Sequence, residues 1–218
     1  MGNKQKLLEL IILPAVKDTI YMVSFATLYA GFIGLILAII LVVTDKNGLR
    51  PNIYIYRTLD IFINVIRSFP FIILVISIVP LTRLIVGTSI GRGAAVFPLT
   101  ILSSALVARL IENNLKEVDK GIVKAARSFG ASNLQIIFKV MIVEALPSIC
   151  SSITLAMVGI LGSSAMAGAV GAGGLGSVAI IYGYQSFNDF VIVVCVAILI
   201  VLVQFIQSVG NHMYRRLQ

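Results

Sequence analysis

The apolar run from Thr19 to Val43 most strongly limits what this chain can fold into. It holds 25 residues and no charged side chain. A helix of that length, at ~1.5 Å per residue, exceeds the ~30 Å hydrocarbon core of a bilayer. Of the 218 residues, 59% are hydrophobic and 12% are charged, whereas a soluble domain carries about a quarter charged residues. These values exclude a soluble enzyme, a disordered regulator and a secreted disulfide scaffold, and predict a membrane protein.

Further apolar segments predict an all-α integral membrane protein with one domain and five transmembrane helices. The predicted spans cover residues 19–43, 53–81, 93–110, 146–170 and 190–209. The segment Leu7 to Pro14 is short and contains Glu9, so it is predicted to be an interfacial lead-in. Residues 111–144, between the third and fourth spans, are too charged to cross a membrane and form a polar loop.

The distribution of cations predicts the orientation of the five spans. The two ends of the chain lie on opposite sides, and the side with more Lys and Arg faces the cytoplasm. One side collects eleven cations: Lys46, Arg50, Arg57, Arg109, Lys116, Lys120, Lys124, Arg127, Lys139, Arg215 and Arg216. The other side has five: Lys4, Lys6, Lys17, Arg83 and Arg92. We therefore expect the polar loop and the C-terminus to be cytoplasmic and the N-terminus to be external. The net charge of +8 then reflects membrane topology rather than nucleic-acid binding.

The polar loop carries the pattern of two short amphipathic helices. The first stripe consists of Ile122, Val123, Ala126 and Phe129, and the second of Leu134, Ile137, Phe138 and Met141. Gly130 supplies a residue that tolerates positive φ at a helix end, and Ser132 with Gln135 predicts a capping box. Two interpretations remain open at this stage, namely a hairpin that lies against the membrane and a docking element for a cytoplasmic partner.

The sequence lacks the motifs that would indicate a nucleotide, metal or catalytic site. Neither a Gly-x-x-x-x-Gly-Lys motif nor any Gly-Lys pair occurs, so we expect no nucleotide site. His212 is the only histidine, and Cys150 and Cys195 lack CxxC spacing, so we expect no metal, no catalytic residue and no cofactor. The run Gly171 to Gly176 fits GxGxxG but follows no predicted strand, which removes the meaning of that motif.

Small residues from Gly159 to Gly176 admit two interpretations. They let helices approach closely and allow a chain break, which is a purely structural role. Alternatively, this span lines a translocation path and one large thioether closes it. The candidate path and gate residues are Ser163, Ser164, Met166 and Gly168.

Asp60, Asn64 and Arg67 are spaced by four and three residues and therefore share one helix face. Ionisable side chains within a span mark functional sites by default. We favour the simpler interpretation, in which Arg67 extends to the membrane surface and pairs with Asp60. Pro70 is expected to kink this span under either interpretation.

Short motifs resemble those of one transporter family. Lys124-Ala125-Ala126, Gly130-Ala131 and Leu146-Pro147 resemble the EAA loop by which permease subunits of ABC importers engage their ATPases, with Lys124 in place of the usual Glu and Val143 in place of a common Pro. Arg67 to Phe71 resembles the Arg-x-x-Pro element of amino-acid importer permeases. Ile85 to Gly91 and Ser164 to Gly176 resemble methionine importer permeases in particular, and the similarity runs from about residue 15 to 210.

This resemblance implies a function and a set of partners. It implies a type I ABC importer permease that moves D- or L-methionine by alternating access, without being an enzyme itself. The implied assembly is a permease homodimer with two ATPase subunits, which dock at Lys124, Ala125, Ala126, Gly130 and Ala131, and an external methionine-binding protein. The expected location is a bacterial cytoplasmic membrane. Uptake of another amino acid or a short peptide remains open, and a small channel is the alternative from a different class.

Overall fold

The computed structural model describes residues 8–217, and within them the chain is all helical, with no β-strand. We number the helices in chain order and treat continuous segments as one helix. They are α1 (Leu8–Thr44), α2 (Ile53–Ser68), α3 (Phe71–Ser77), α4 (Val79–Val86), α5 (Arg92–Glu117), α6 (Lys120–Ser128), α7 (133–144), α8 (Leu146–Val170), α9 (Gly174–Tyr184) and α10 (Asp189–Leu217). The all-α fold class is confirmed.

Four helices among the described residues, α1, α5, α8 and α10, are long and apolar enough to cross a membrane. The pair α2 and α3 makes a fifth candidate if it is one bent span. Helix α1 begins at Leu8, so the segment predicted to be a separate interfacial lead-in continues directly into the first span. Lys4 and Lys6, used in the cation count, lie outside the described residues.

The second predicted span, residues 53–81, is interrupted rather than continuous. Helix α2 ends at Ser68, and α3 leaves at an angle of 104°. Phe69 adopts an extended conformation with ψ 128°, because the ring of a following proline disfavours helical backbone. Pro70 also has no N–H to continue the helical hydrogen bonds. The expected kink at Pro70 is therefore a full break, and α4 follows α3 as a third short helix.

Close approach of α1 and α5 forms the centre of the bundle. Gly34 of α1 lies against Val107 of α5, where a Cβ would meet the Val107 side chain at 2.6 Å. Met22, Leu99 and Ile160 bring α1, α5 and α8 into one fully buried cluster. A second cluster, which includes Leu115 and Ile136, holds α7 against the other end of α5. The polar loop is thus anchored to the spans by apolar packing.

The glycine-rich run after α8 is a helix break that attaches α9 to α1. Gly171, Gly173 and Gly174 have φ of 85°, 80° and 75°, a region that favours glycine. The hydroxyl of Thr19 accepts a hydrogen bond of 2.9 Å from the backbone N–H of Leu175. The GxGxxG match therefore lies at a turn between two helices, and the close helix approach expected of these small residues is present.

Candidate functional site

The polar hairpin (residues 118–144) begins with a capped helix and turns at a glycine. The side chain of Asp119 accepts a 2.6 Å hydrogen bond from the N–H of Gly121 at the start of α6. After α6, Gly130 adopts φ 81°, and its N–H bonds to the carbonyl of Arg127 at 3.0 Å. This geometry is a left-handed C-terminal cap. The prediction that Gly130 takes a positive φ at a helix end is confirmed.

The second helix of the hairpin, α7, starts with the predicted capping box. The Ser132 hydroxyl accepts from the N–H of Gln135 at 3.3 Å, and the Gln135 side chain accepts from the N–H of Ser132 at 2.8 Å. Two backbone donors that would be unsatisfied at a helix start are thereby paired. The capping box is confirmed, and it fixes the direction in which α7 leaves the turn.

The two predicted apolar stripes of the hairpin are each divided between the interior and the surface. Val123, Ala126 and Ala131 pack toward the cluster of α5, α7 and α8, and Ile137 and Met141 are buried. The remaining stripe residues point outward. We call them the apolar tip, which consists of Ile122, Phe129, Leu134 and Phe138, with exposures of 41%, 90%, 68% and 54%.

The four side chains of the apolar tip are exposed on both helices of the hairpin. A group of large apolar side chains on a surface marks an interaction site. Ala125 and Gly130 are also exposed, and a Cβ added at Gly130 would meet nothing within 4 Å. Lys124 is exposed as well. The hairpin therefore presents exposed apolar side chains together with small exposed residues.

A charge cluster joins the polar end of α5 to α2. Arg109 donates to Asp60 and, at 3.2 Å, to the side-chain oxygen of Asn64. Arg67 is exposed, and the partner of Asp60 is Arg109 rather than Arg67, so the predicted Asp60–Arg67 pair is wrong. The physical reason is that α5 packs beside α2 and carries Arg109 within reach of both Asp60 and Asn64.

The centre of the charge cluster is Glu112, whose side chain is fully buried. It accepts from Arg109 at 2.8 Å, from Lys116 at 2.7 Å and from the Tyr56 hydroxyl at 3.2 Å. Lys116 also pairs with Asp45 at 2.9 Å. These contacts explain why α5 extends to Glu117, past the predicted start of the polar loop at residue 111. The i, i+3 and i+7 spacing of Arg109, Glu112 and Lys116 was the signal in the sequence for this cluster.

Asp45, just beyond α1, is ionised and held by its neighbours. Burial acts to raise its pKa, but a hydrogen bond from the N–H of Asn47 and the ammonium of Lys116 lower the pKa below its usual value of 3.8. A lowered carboxyl pKa means that the charged form is stabilised by folding. The chain between α1 and α2 is thus tied to the end of α5.

The small-residue segment of α8 separates the candidate path residues into two groups. Ser164 is buried and donates to the carbonyl of Leu161 at 2.7 Å, so its hydroxyl is used by its own helix. Gly168 contacts the backbone of Gly176, where a Cβ would lie 2.6 Å from the carbonyl carbon. Ser163 is half-buried, and Met166 is 49% exposed. Of these residues, Met166 is the one most available to a path.

An open cavity of about 590 Å³ lies in the bend between α2 and α3. Asn64, Ser68 and Pro70 line it together with apolar side chains. The break at Pro70 therefore leaves the side chains of Asn64 and Ser68 in a concave surface.

Residues 30–218 match the family of binding-protein-dependent transport system inner membrane components. The chain belongs to this family. It is therefore a transport subunit and a multi-pass membrane protein of a family found in bacterial inner membranes.

Two methionine permeases match the chain over much or nearly all of its length. A probable D-methionine transport system permease protein MetI of Vibrio cholerae is 48% identical over 95% of this chain and 92% of that protein. The D-methionine transport system permease protein MetI of Yersinia pestis is 45% identical over 67% of this chain and 68% of that protein. Similarity to methionine importer permeases is thereby confirmed.

Solved structures agree with this assignment. The chain resembles a chain of the MetNI methionine ABC transporter, in an inward-facing conformation, with a TM-score of 0.96 and 38% identity over 100% of both chains. An amino acid ABC transporter crystallised with histidines matches with a TM-score of 0.77 and 24% identity over 94% of this chain and 92% of that one. The second likeness shows the fold alone.

Proposed function

We propose that this chain is the permease subunit of an ATP-driven importer that carries methionine across the bacterial cytoplasmic membrane. The observation that supports this best is the 48% identity to a probable D-methionine permease over 95% of the chain. Transport proceeds by alternating access between the two sides of the membrane. D- and L-methionine are both candidate substrates.

ATP is hydrolysed by a separate ATPase subunit, which docks on the polar hairpin. The apolar tip enters a groove of the ATPase, while Ala125 and Gly130 allow close approach of its walls. Ala126 and Ala131 help to hold α6 and the turn against α7, since both pack on the buried cluster that contains Ile136 and Met141. Lys124 replaces the usual Glu of the EAA loop, so it pairs with a different ATPase residue than that Glu would. The hairpin and the C-terminus lie in the cytoplasm and the N-terminus lies outside, an orientation that the excess of cations on one side supports.

The working assembly is a permease homodimer with two ATPase subunits and an external methionine-binding protein. Residues 8–217 of one chain offer four or five spans, which is few for enclosing a path, and a second copy supplies the missing walls. Met166, together with Ser163, lies on the path, and Met166 closes it. Asn64, in the cavity at the α2–α3 bend, lies on the same path.

The proposed function is tested by uptake of labelled methionine into liposomes that hold this chain with its ATPase and binding protein. ATP-dependent uptake that unlabelled methionine suppresses, and that other amino acids and short peptides do not, is the expected result. Suppression by a different amino acid would retain the importer and overturn the substrate. Leakage of methionine without ATP would instead identify a channel.

A further inference from the structure

A basic cavity of about 390 Å³ lies between α6 and the ends of α1 and α5. This volume is within the range of small-molecule binding sites. Five cationic side chains line it, and they come from three parts of the chain: Lys46, Lys116, Lys120, Lys124 and Arg127. Lys116 belongs to the charge cluster, and the other four cations belong to neither the charge cluster nor the apolar tip.

Most of this positive charge is not neutralised by the protein. Lys116 is bound to Asp45 and Glu112, and Asp45 is the only acidic residue in the lining among the residues described. Within residues 8–217, the other four cations take part in no ion pair. Lys120, Lys124 and Arg127 are spaced by four and three residues, so they share one face of α6. The cavity therefore favours an anionic ligand.

The floor of the cavity is apolar and lies at the end of two spans. Val42, Leu115 and Met141 are buried residues that line it. Helix α1 ends at Thr44 and α5 at Glu117, so the cavity lies where membrane helices meet the headgroup layer. A ligand that satisfies both surfaces carries a phosphate and an attached apolar chain.

Of the residues that we assign to the ATPase interface, only Lys124 also lines the cavity among the residues described. None of the four apolar-tip residues lines it. Ile122 is two residues from both Lys120 and Lys124, so it lies on another face of α6 than these two lysines. Basic pockets at the cytoplasmic ends of membrane helices bind anionic lipid headgroups. We propose that this cavity binds an anionic phospholipid, with its phosphate among Lys46, Lys120 and Arg127 and its first acyl carbons on the apolar floor. Only the choice of the cytoplasmic leaflet rests on the proposed function.

The test is native mass spectrometry of the full-length chain, purified in detergent and mixed with equal amounts of phosphatidylglycerol and phosphatidylcholine that carry the same acyl chains. The unaltered chain is expected to retain phosphatidylglycerol over phosphatidylcholine by about tenfold. Equal retention would overturn the proposal, and this comparison depends on no variant. Displacement of phosphatidylglycerol by inorganic phosphate at the same concentration would show a site for a soluble anion and would also overturn it.

A triple variant tests the location of the site. Lys46→Gln, Lys120→Gln and Arg127→Gln together are expected to abolish the preference for phosphatidylglycerol. The matched control, Lys139→Gln with Arg215→Gln and Arg216→Gln, removes three exposed cations that do not line the cavity and is expected to keep the preference. The opposite result, with the preference lost in the control or kept in the first variant, would place the lipid elsewhere.

Addition of the ATPase separates this inference from the proposed function. If the ATPase docks on the apolar tip, phosphatidylglycerol stays bound when the complex forms. Expulsion of the lipid by the ATPase would assign the cavity to that partner and overturn the proposal. Failure of the ATPase to bind at all would count against the proposed function and leave the lipid comparison intact.

Discussion

Replacement of Glu112 by glutamine is expected to destabilise the chain substantially. The carboxylate is fully buried and accepts from Arg109, Lys116 and Tyr56 at 2.8, 2.7 and 3.2 Å. Breaking a buried ion pair costs about 3–5 kcal/mol, since an uncompensated charge remains. Each cation keeps a second carboxylate, Asp60 or Asp45, and so we expect the lower end, about 3 kcal/mol.

A thiol-reactive dye measures this loss in detergent. Cys195 is fully buried and Cys150 is half-buried, so Cys150→Ser leaves one thiol that reacts only on unfolding. For a chain of 150–250 residues, about 3 kcal/mol corresponds to a fall in Tm of roughly 6–12 °C. The pair-specific part is isolated by a double-mutant cycle with Lys116→Gln, whose combined loss is expected to be smaller than the sum of the single losses.

Glu144→Gln is the matched control, because Glu144 is an exposed carboxylate in the same half of the chain. Its Tm is expected to equal that of the parent chain, as surface substitutions stay within about 0.5 kcal/mol. Equal melting temperatures for Glu112→Gln and Glu144→Gln would refute the reasoning, and so would full additivity in the cycle. Either outcome would mean that Glu112 is not an ionised partner of both cations.

Three further predictions concern packing, pH and gating. Gly176→Ala is expected to lower the free energy of unfolding by about 1–3 kcal/mol, because its Cβ would lie 2.6 Å from backbone carbons of Ala165. The control is Gly162→Ala, where a Cβ would meet nothing within 4 Å, and it is expected to be neutral or to stabilise by up to ~1 kcal/mol. Both are measured by thermal unfolding with the thiol-reactive dye. The Asp45 carboxyl has a pKa below its usual 3.8, so its stabilising contribution is complete above pH 3.8 and is lost as the pH falls through the lowered pKa. Asp45→Asn is therefore expected to reduce the fall in Tm at acid pH. An unchanged dependence of Tm on pH would contradict this prediction. Met166→Ala is expected to raise the ATP hydrolysed per methionine imported several-fold, and unchanged coupling would count against the gate.

Local signals in the sequence predicted local structure well. The capping box at Ser132 and the left-handed turn at Gly130 depend on residues three or four positions apart, and both are present. The hydropathy pattern likewise located the long helices, because a membrane span of about 20 residues is visible in composition alone. Family resemblance in short motifs then indicated the function that the whole-length comparisons support.

Contacts between distant parts of the chain could not be predicted in the same way. The helical spacing favours Arg67 as the partner of Asp60, whereas its partner is Arg109 on α5. No local spacing distinguishes these two arginines, since the choice depends on how α2 packs on α5. The proline at position 70 predicted a kink, but the angle of 104° depends on where α3 finds packing partners.

The most direct test of whether the polar hairpin couples this permease to its ATPase is a pull-down. It measures how much ATPase the purified, immobilised permease chain retains. Phe129→Ser removes the most exposed residue of the apolar tip, and Phe187→Ser is its matched control beyond α9, with exposures of 90% and 92% respectively. Loss of a central aromatic contact costs 2 kcal/mol or more, so Phe129→Ser is expected to weaken ATPase binding by about 30-fold. Phe187→Ser is expected to recover as much ATPase as the unaltered chain. Equal recovery with both variants would contradict docking through the hairpin.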